Sequence, residues 1–179
     1  MMNIAVYCGS TQGNNTAYLE RARELGAWMA KNGHALVYGA GSVGLMGALA
    51  DAVIEGGGRT IGVIPKFLMG REVDHQGLEE THIVKDMHER KKLMIDLADA
   101  FIALPGGAGT LEEITEVISW QGLGLLEAPC IVYNVEGYYD SLREYFVRME
   151  AEGFLSERPR ALVHFPQTLT EIESLLSQI

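Results

Sequence analysis

Short apolar runs and amphipathic stretches take turns along the chain. Asn3–Cys8, His34–Tyr38, Thr60–Ile64, His82–Val84, Ala100–Leu104, Cys130–Val135 and Ala161–Phe165 are runs of strand length. Where successive positions are all apolar, as in Phe101-Ile102-Ala103-Leu104, the pattern predicts a strand buried on both faces. The intervening stretches carry apolar residues at helical spacing. Tyr18, Ala22, Leu25 and Met29 form one stripe, in a helix that runs to about Asn32 and stops at Gly33. Arg90, Leu93, Met94 and Leu97 form a second within Asp86–Ala98, and Leu111, Ile114, Val117 and Ile118 a third in a helix ending near Gly122. Further helices are expected up to Gly56, over Tyr138–Glu152, and after Pro166 with Leu169, Ile172, Leu175 and Leu176 as its stripe. This alternation predicts right-handed β-α-β units. The expected fold is α/β: a Rossmann-like, doubly wound, mostly parallel sheet in a single domain over residues 1–179. Lys66 to about Glu80 breaks the rhythm, and connections of that length are commonly functional.

Three strands end in glycine turns that reopen as helices: Gly9-Ser10-Thr11-Gln12-Gly13, Gly39-Ala40-Gly41-Ser42-Val43-Gly44 and Pro105-Gly106-Gly107-Ala108-Gly109-Thr110. In a parallel sheet all three lie at the carboxyl edge, so they converge on one crevice. A helix N-terminus after a glycine turn offers unpaired N–H groups and positive potential to an anion, most often a phosphate. Gly106, Gly107 and Gly109 are expected to supply positive φ and close ligand approach. The second turn matches G-x-G-x-x-G, but Thr60–Pro65 lacks the acidic residue that a dinucleotide fingerprint needs. No glycine turn is followed by Gly-Lys-Ser/Thr, which removes the P-loop reading. A mononucleotide or sugar phosphate fits better.

Arg90 lies on the inward stripe of its helix at the same crevice edge. It reads either as an anion-binding cation or as a stem covering apolar surface beside Asp86. Lys91 and Lys92 read as more solvated. Thr110-x-x-Glu113 matches a capping box, yet a carboxylate beside a phosphate turn also suits an oxocarbenium-like transition state and the orienting of water. Glu112 falls on a different helical face. The five histidines show no metal-ligand spacing, and only His88 lies next to Arg90.

Composition narrows the choice. A net charge of −10 disfavours nucleic-acid and anionic-membrane surfaces. Met1–Cys8 reads as a strand and not a signal peptide, and no apolar run is long enough to span a membrane. Cys8 and Cys130 read as buried free thiols at strand edges, consistent with a cytoplasmic protein.

Pro105-Gly106-Gly107-x-Gly109-Thr110-x-x-Glu113, together with Met87-His88-x-Arg90-Lys91, resembles the signature of the LOG family. These are the cytokinin riboside monophosphate phosphoribohydrolases, long mislabelled as lysine decarboxylases. Gly44-Leu45-Met46-Gly47, Cys8-Gly9-Ser10 and Gly137-Tyr138-Tyr139 also resemble family segments, so the likeness covers nearly the whole chain. The resemblance implies a homodimer, without metal or organic cofactor. It would cleave the N-glycosidic bond of (N6-prenylated) adenosine 5'-monophosphates to free base and ribose 5-phosphate. It further implies Arg90 and Glu113 as the catalytic pair, and Gly107, Ala108, Gly109 and Thr110 around the phosphate with Lys91 nearby. Glu72 is an implied substrate contact, and Ser10, Gly41, Gly106, Leu111, Glu112 and Ser119 complete the implied substrate site. Two departures stand out: Ser119 replaces a threonine of some members, and Ala40 replaces the usual middle glycine of the second turn. The second matters only where that position takes positive φ. A general AMP nucleosidase and a non-catalytic carrier of a nucleotide or pterin cofactor are the alternatives on the same frame. A carrier has no need of an acid beside its phosphate.

Overall fold

The computed structural model describes residues 1–69, 75, 77–155 and 157–178. Seven strands join one sheet: β1 (Asn3–Tyr7), β2 (Ala35–Tyr38), β3 (Thr60–Pro65), β4 (Glu80–Val84), β5 (Ala100–Ala103), β6 (Cys130–Val132) and β7 (Val163–His164). Their order is β4-β3-β2-β1-β5-β6-β7, and every pairing is parallel. The chain lays down β1, winds outward to β4, then crosses back to β5 and winds the other way. The switch point therefore falls between β1 and β5, where such sheets open a crevice at their carboxyl edge.

Alternation along each strand divides the core. Ile4 and Val6 face α1 (Thr16–Lys31), α2 (Gly44–Glu55) and α7 (Leu169–Leu176) through Leu25, Met29, Leu49 and Ile172. Ala5 and Tyr7 face α3 (Met87–Leu97), α4 (Ala108–Gly122) and α5 (Asp140–Ala151) through Met94, Ile114, Val117 and Phe146. Both faces are covered, which is why the central strands read as unbroken apolar runs.

Helix starts are fixed locally. The Asn15 side chain accepts from the N–H of Ala17, and Asp86 accepts from those of His88 and Glu89 at the start of α3. A capping box does occur, but at Thr168–Glu171. The Thr110–Glu113 box is overturned: α4 begins at Ala108 with Gly107 as its cap, so Thr110 already lies inside the first turn. Other boundaries differ as well. Cys130–Val135 pairs only through Val132, and the last strand shrinks to Val163–His164 behind α6 (Glu157–Leu162), which the sequence pattern did not predict.

Candidate functional site

At the switch point, β1, β2, α3 and the β5–α4 turn enclose a cavity of about 210 Å³. Its walls include Tyr7, Cys8, Ser10, Gly39, Met87, Arg90, Gly107, Thr110 and Glu113. The N-terminus of α4 forms one side. Its first backbone bond runs from the Leu111 N–H to the Gly107 carbonyl, at 3.1 Å, so the preceding N–H groups have no partner within the helix. The expectation of positive φ at Gly106, Gly107 and Gly109 fails, since none adopts it. Space is the reason for glycine there. A Cβ on Gly107 or Gly109 would meet nothing within 4 Å, leaving the backbone open to a ligand. A Cβ on Gly106 would lie 2.1 Å from Thr110 Oγ1.

Arg90 is buried, with its side chain 8% exposed. Its guanidinium reaches Gly39 with the Nη2 end, where a Cβ would come within 1.8 Å of Nη2. Nη1 is 3.9 Å from Met87 Sδ, a weak acceptor, Nη2 is 4.0 Å from Glu113 Oε1, and buried Nε has no protein partner among the described residues. Buried arginines normally satisfy their N–H groups, so this one is arranged to receive something. Glu113, its side chain 13% exposed, projects from the second turn of α4 into the same cavity. Its charge is felt by the neighbours. Burial first, then the Glu113 carboxylate, pushes the Cys8 thiol far above its ordinary range, and the same two causes raise the Tyr7 phenol.

The other expected residues divide. Ser10, Gly107, Gly109 and Thr110 line the cavity with Arg90 and Glu113, while Gly106 lines a neighbouring cavity beside Tyr18 and Tyr138. Gly41 is buried against Met46. Ala108, Leu111, Glu112 and Ser119 are exposed along α4 and do not line the cavity. Glu72 lies outside the described residues. Lys91 corrects the expectation of a solvated lysine: it is 7% exposed and joins α3 to α4 by bonding Glu112 and, at 3.0 Å, Glu116. Burial opposes its charge, but those two carboxylates outweigh burial and raise its pKa. Ala40 meets the condition that made its substitution matter, with φ of +64°. Sequence reasoning missed Gly39 as the seat of Arg90 and Tyr138 as a partner of the glycine turn. Neither relation follows any local spacing.

Comparison with known proteins adds to this geometry. The family model described as "Possible lysine decarboxylase" matches residues 46–176. The chain is 49% identical over 160 residues to cytokinin riboside 5'-monophosphate phosphoribohydrolase LOG1 of Arabidopsis thaliana, spanning 89% of this chain and 75% of that one. It is 47% identical over 169 residues to the LOG enzyme of Oryza sativa subsp. japonica, spanning 94% and 70%. It is 46% identical over 162 residues to the phosphoribohydrolase of Rhodococcoides fascians, spanning 90% and 82%. Among solved structures, the molybdenum cofactor carrier protein of Chlamydomonas reinhardtii superposes with a TM-score of 0.73 at 21% identity, covering 99% of this chain and 98% of that one. The molybdenum cofactor binding protein of Rippkaea orientalis gives 0.74 at 19%, covering 99% and 97%. At those identities the likeness concerns the fold alone.

Proposed function

The chain belongs to the LOG family, and on that premise we propose that it hydrolyses the N-glycosidic bond of N6-prenylated adenosine 5'-monophosphates, releasing free base and ribose 5-phosphate. The observation that carries this reading is a buried Arg90 whose Nε has no protein partner among the described residues, set 4.0 Å from Glu113 beside the open N-terminus of α4. The phosphate accepts from the N–H groups of the β5–α4 turn and is favoured by the helix dipole. As the C1'–N9 bond lengthens, its electron pair leaves with the base and positive charge grows on the ribose. The Glu113 carboxylate stabilises that charge and orients water onto C1'. Water supplies the hydroxyl of ribose 5-phosphate, and its proton ends on the base. Arg90 holds the substrate against the pair and offsets the accumulated negative charge. This chemistry needs no metal or organic cofactor.

The same reading takes the protein to be a cytoplasmic homodimer that also binds AMP. Exposed Leu111, Leu123 and Leu125 on and after α4 supply apolar surface for a second copy, and Cys8 and Cys130 are free buried thiols. The test is base release, followed by chromatography, from isopentenyladenosine monophosphate and from AMP. Arg90→Ala and Glu113→Gln are each expected to lower kcat on the prenylated substrate by about 10² to 10⁴. Faster turnover of AMP would replace the prenylated substrate with AMP. Nucleotide binding without base release from either would replace hydrolysis with carriage.

A further inference from the structure

Tyr138 is the residue outside the catalytic pair that the site's own geometry singles out. It follows a short 3-10 turn, Val135–Gly137, in which Glu136 takes φ of +51°. Its ring packs edge-on against Tyr18 and Tyr139, at 5.5 and 4.9 Å between centroids. Its hydroxyl donates to the Gly106 carbonyl at 2.6 Å. Two neighbouring carbonyls are held in the same way: Tyr139 Oη donates to Leu104 at 2.8 Å, and the Gly9 N–H to Pro105 at 3.1 Å.

A trans peptide points its C=O and N–H in opposite directions. Drawing the Gly106 carbonyl toward Tyr138 therefore turns the Gly107 N–H the other way. Tyr138 and Gly106 line the neighbouring cavity and not the one that holds Arg90 and Glu113, Gly109 and Thr110 line only the latter, and Gly107 stands between the two and lines both. The Gly106–Gly107 peptide has glycine on both sides, so its plane can rotate easily. Rotated, it would aim a carbonyl oxygen at the bound anion.

Building on the phosphate seat proposed above, we propose that Tyr138 is a positioning residue, whose hydroxyl locks the Gly106–Gly107 peptide with its N–H toward the substrate phosphate. The role is electrostatic and concerns the phosphate only, so it separates ligands that carry one from ligands that do not.

The test compares wild type with Tyr138→Phe, which keeps the ring contacts and removes the donor. Calorimetry with inorganic phosphate should show about a tenfold loss of affinity, the usual consequence of one good hydrogen bond. KM for the nucleoside monophosphate should rise by a similar factor while kcat stays within about threefold. Affinity for the unphosphorylated nucleoside should be unchanged. Equal phosphate affinity in the two proteins would overturn the proposal, as would an equal loss for the unphosphorylated nucleoside or a wild type that binds no phosphate. The calorimetric arm is independent of turnover. A wild type that releases no base, with phosphate binding still weakened in the variant, would sink the hydrolase reading and leave this role standing.

Discussion

Replacing Gly39 by alanine should disable Arg90 without unfolding the protein. A Cβ at position 39 would lie 1.8 Å from Nη2 and 3.0 Å from Cζ of Arg90, and carbon and nitrogen do not approach closer than about 3 Å, so the guanidinium must retreat by more than an ångström. Gly39 does not adopt the left-handed region, so alanine fits the backbone there. A displacement of that size in a positioning group typically lowers the rate about 10²-fold. We therefore expect kcat/KM for base release to fall by about two orders of magnitude, or about 2.7 kcal/mol of transition-state stabilisation. Stability should change by less than about 1 kcal/mol in urea unfolding, because the lost glycine freedom of the unfolded chain offsets the local rearrangement. The decisive comparison is made in an Arg90→Ala background, where Gly39→Ala should have no further effect on rate. A Gly39→Ala enzyme within about threefold of wild type would refute the reasoning. So would an equal loss with and without Arg90, which would make Gly39 important for some reason other than seating the guanidinium.

Two further outcomes follow from the same structure. Lys91→Met should lower stability by about 1 kcal/mol by releasing Glu112 and Glu116, and should leave KM for the nucleotide within about threefold, since the ammonium is committed to those carboxylates; urea unfolding and kinetics on the same preparation check both. Alkaline pH should destabilise the fold: burial raises the Cys8, Cys130, Tyr7, Tyr38 and Tyr139 pKa values, with the Glu113 charge adding to that at Cys8 and Tyr7. The folded state thus keeps protons that the unfolded state gives up. Stability is whole below the ordinary thiol pKa of about 8.5 and falls as pH rises past it, then more steeply past the phenol value of about 10. Thermal unfolding between neutrality and pH 10.5 reads this directly, and a flat profile would contradict it.

The fold was legible because most central positions are buried on both sides. In Ile4-Ala5-Val6-Tyr7 each residue meets one of the two cores, so the sequence shows a run and not an alternation. Legibility failed where local chemistry has two readings. Thr110 and Glu113 have capping-box spacing, but a chain of glycines let α4 start earlier, at Ala108, and freed Glu113 to face the cavity. The pattern predicts no helix over Glu157–Leu162, yet α6 forms there with Pro159 in its first turn, where proline is tolerated. Lys91 precedes another lysine and looks solvated. Its partners lie on α4, more than twenty positions along the chain. Gly39 belongs to a pattern that suggests phosphate, whereas its close neighbour is an arginine side chain brought over by α3. Contacts of that kind exist only once the sheet has formed.

The charge balance of the site shows how an acidic chain can hold an anionic substrate. Among the described residues, Glu113 is the carboxylate that lines the cavity, while Glu112 and Glu116 are tied to a lysine. Local positive potential comes from the N-terminus of α4 and from Arg90. Had Arg90 closed a bidentate bridge onto Glu113, the two groups would have satisfied each other, and the substrate would have had to break a buried ion pair. The 4.0 Å separation keeps them within electrostatic reach but beyond hydrogen-bond distance. Gly39 leaves room for the Nη2 end of the guanidinium, and the Met87 sulfur accepts too weakly from Nη1 to saturate it. Arg90 thus keeps a buried Nε without a protein partner among the described residues, a donor that the proposed reading assigns to the substrate. That arrangement favours a transition state in which a carboxylate and a cation must act on different parts of one molecule.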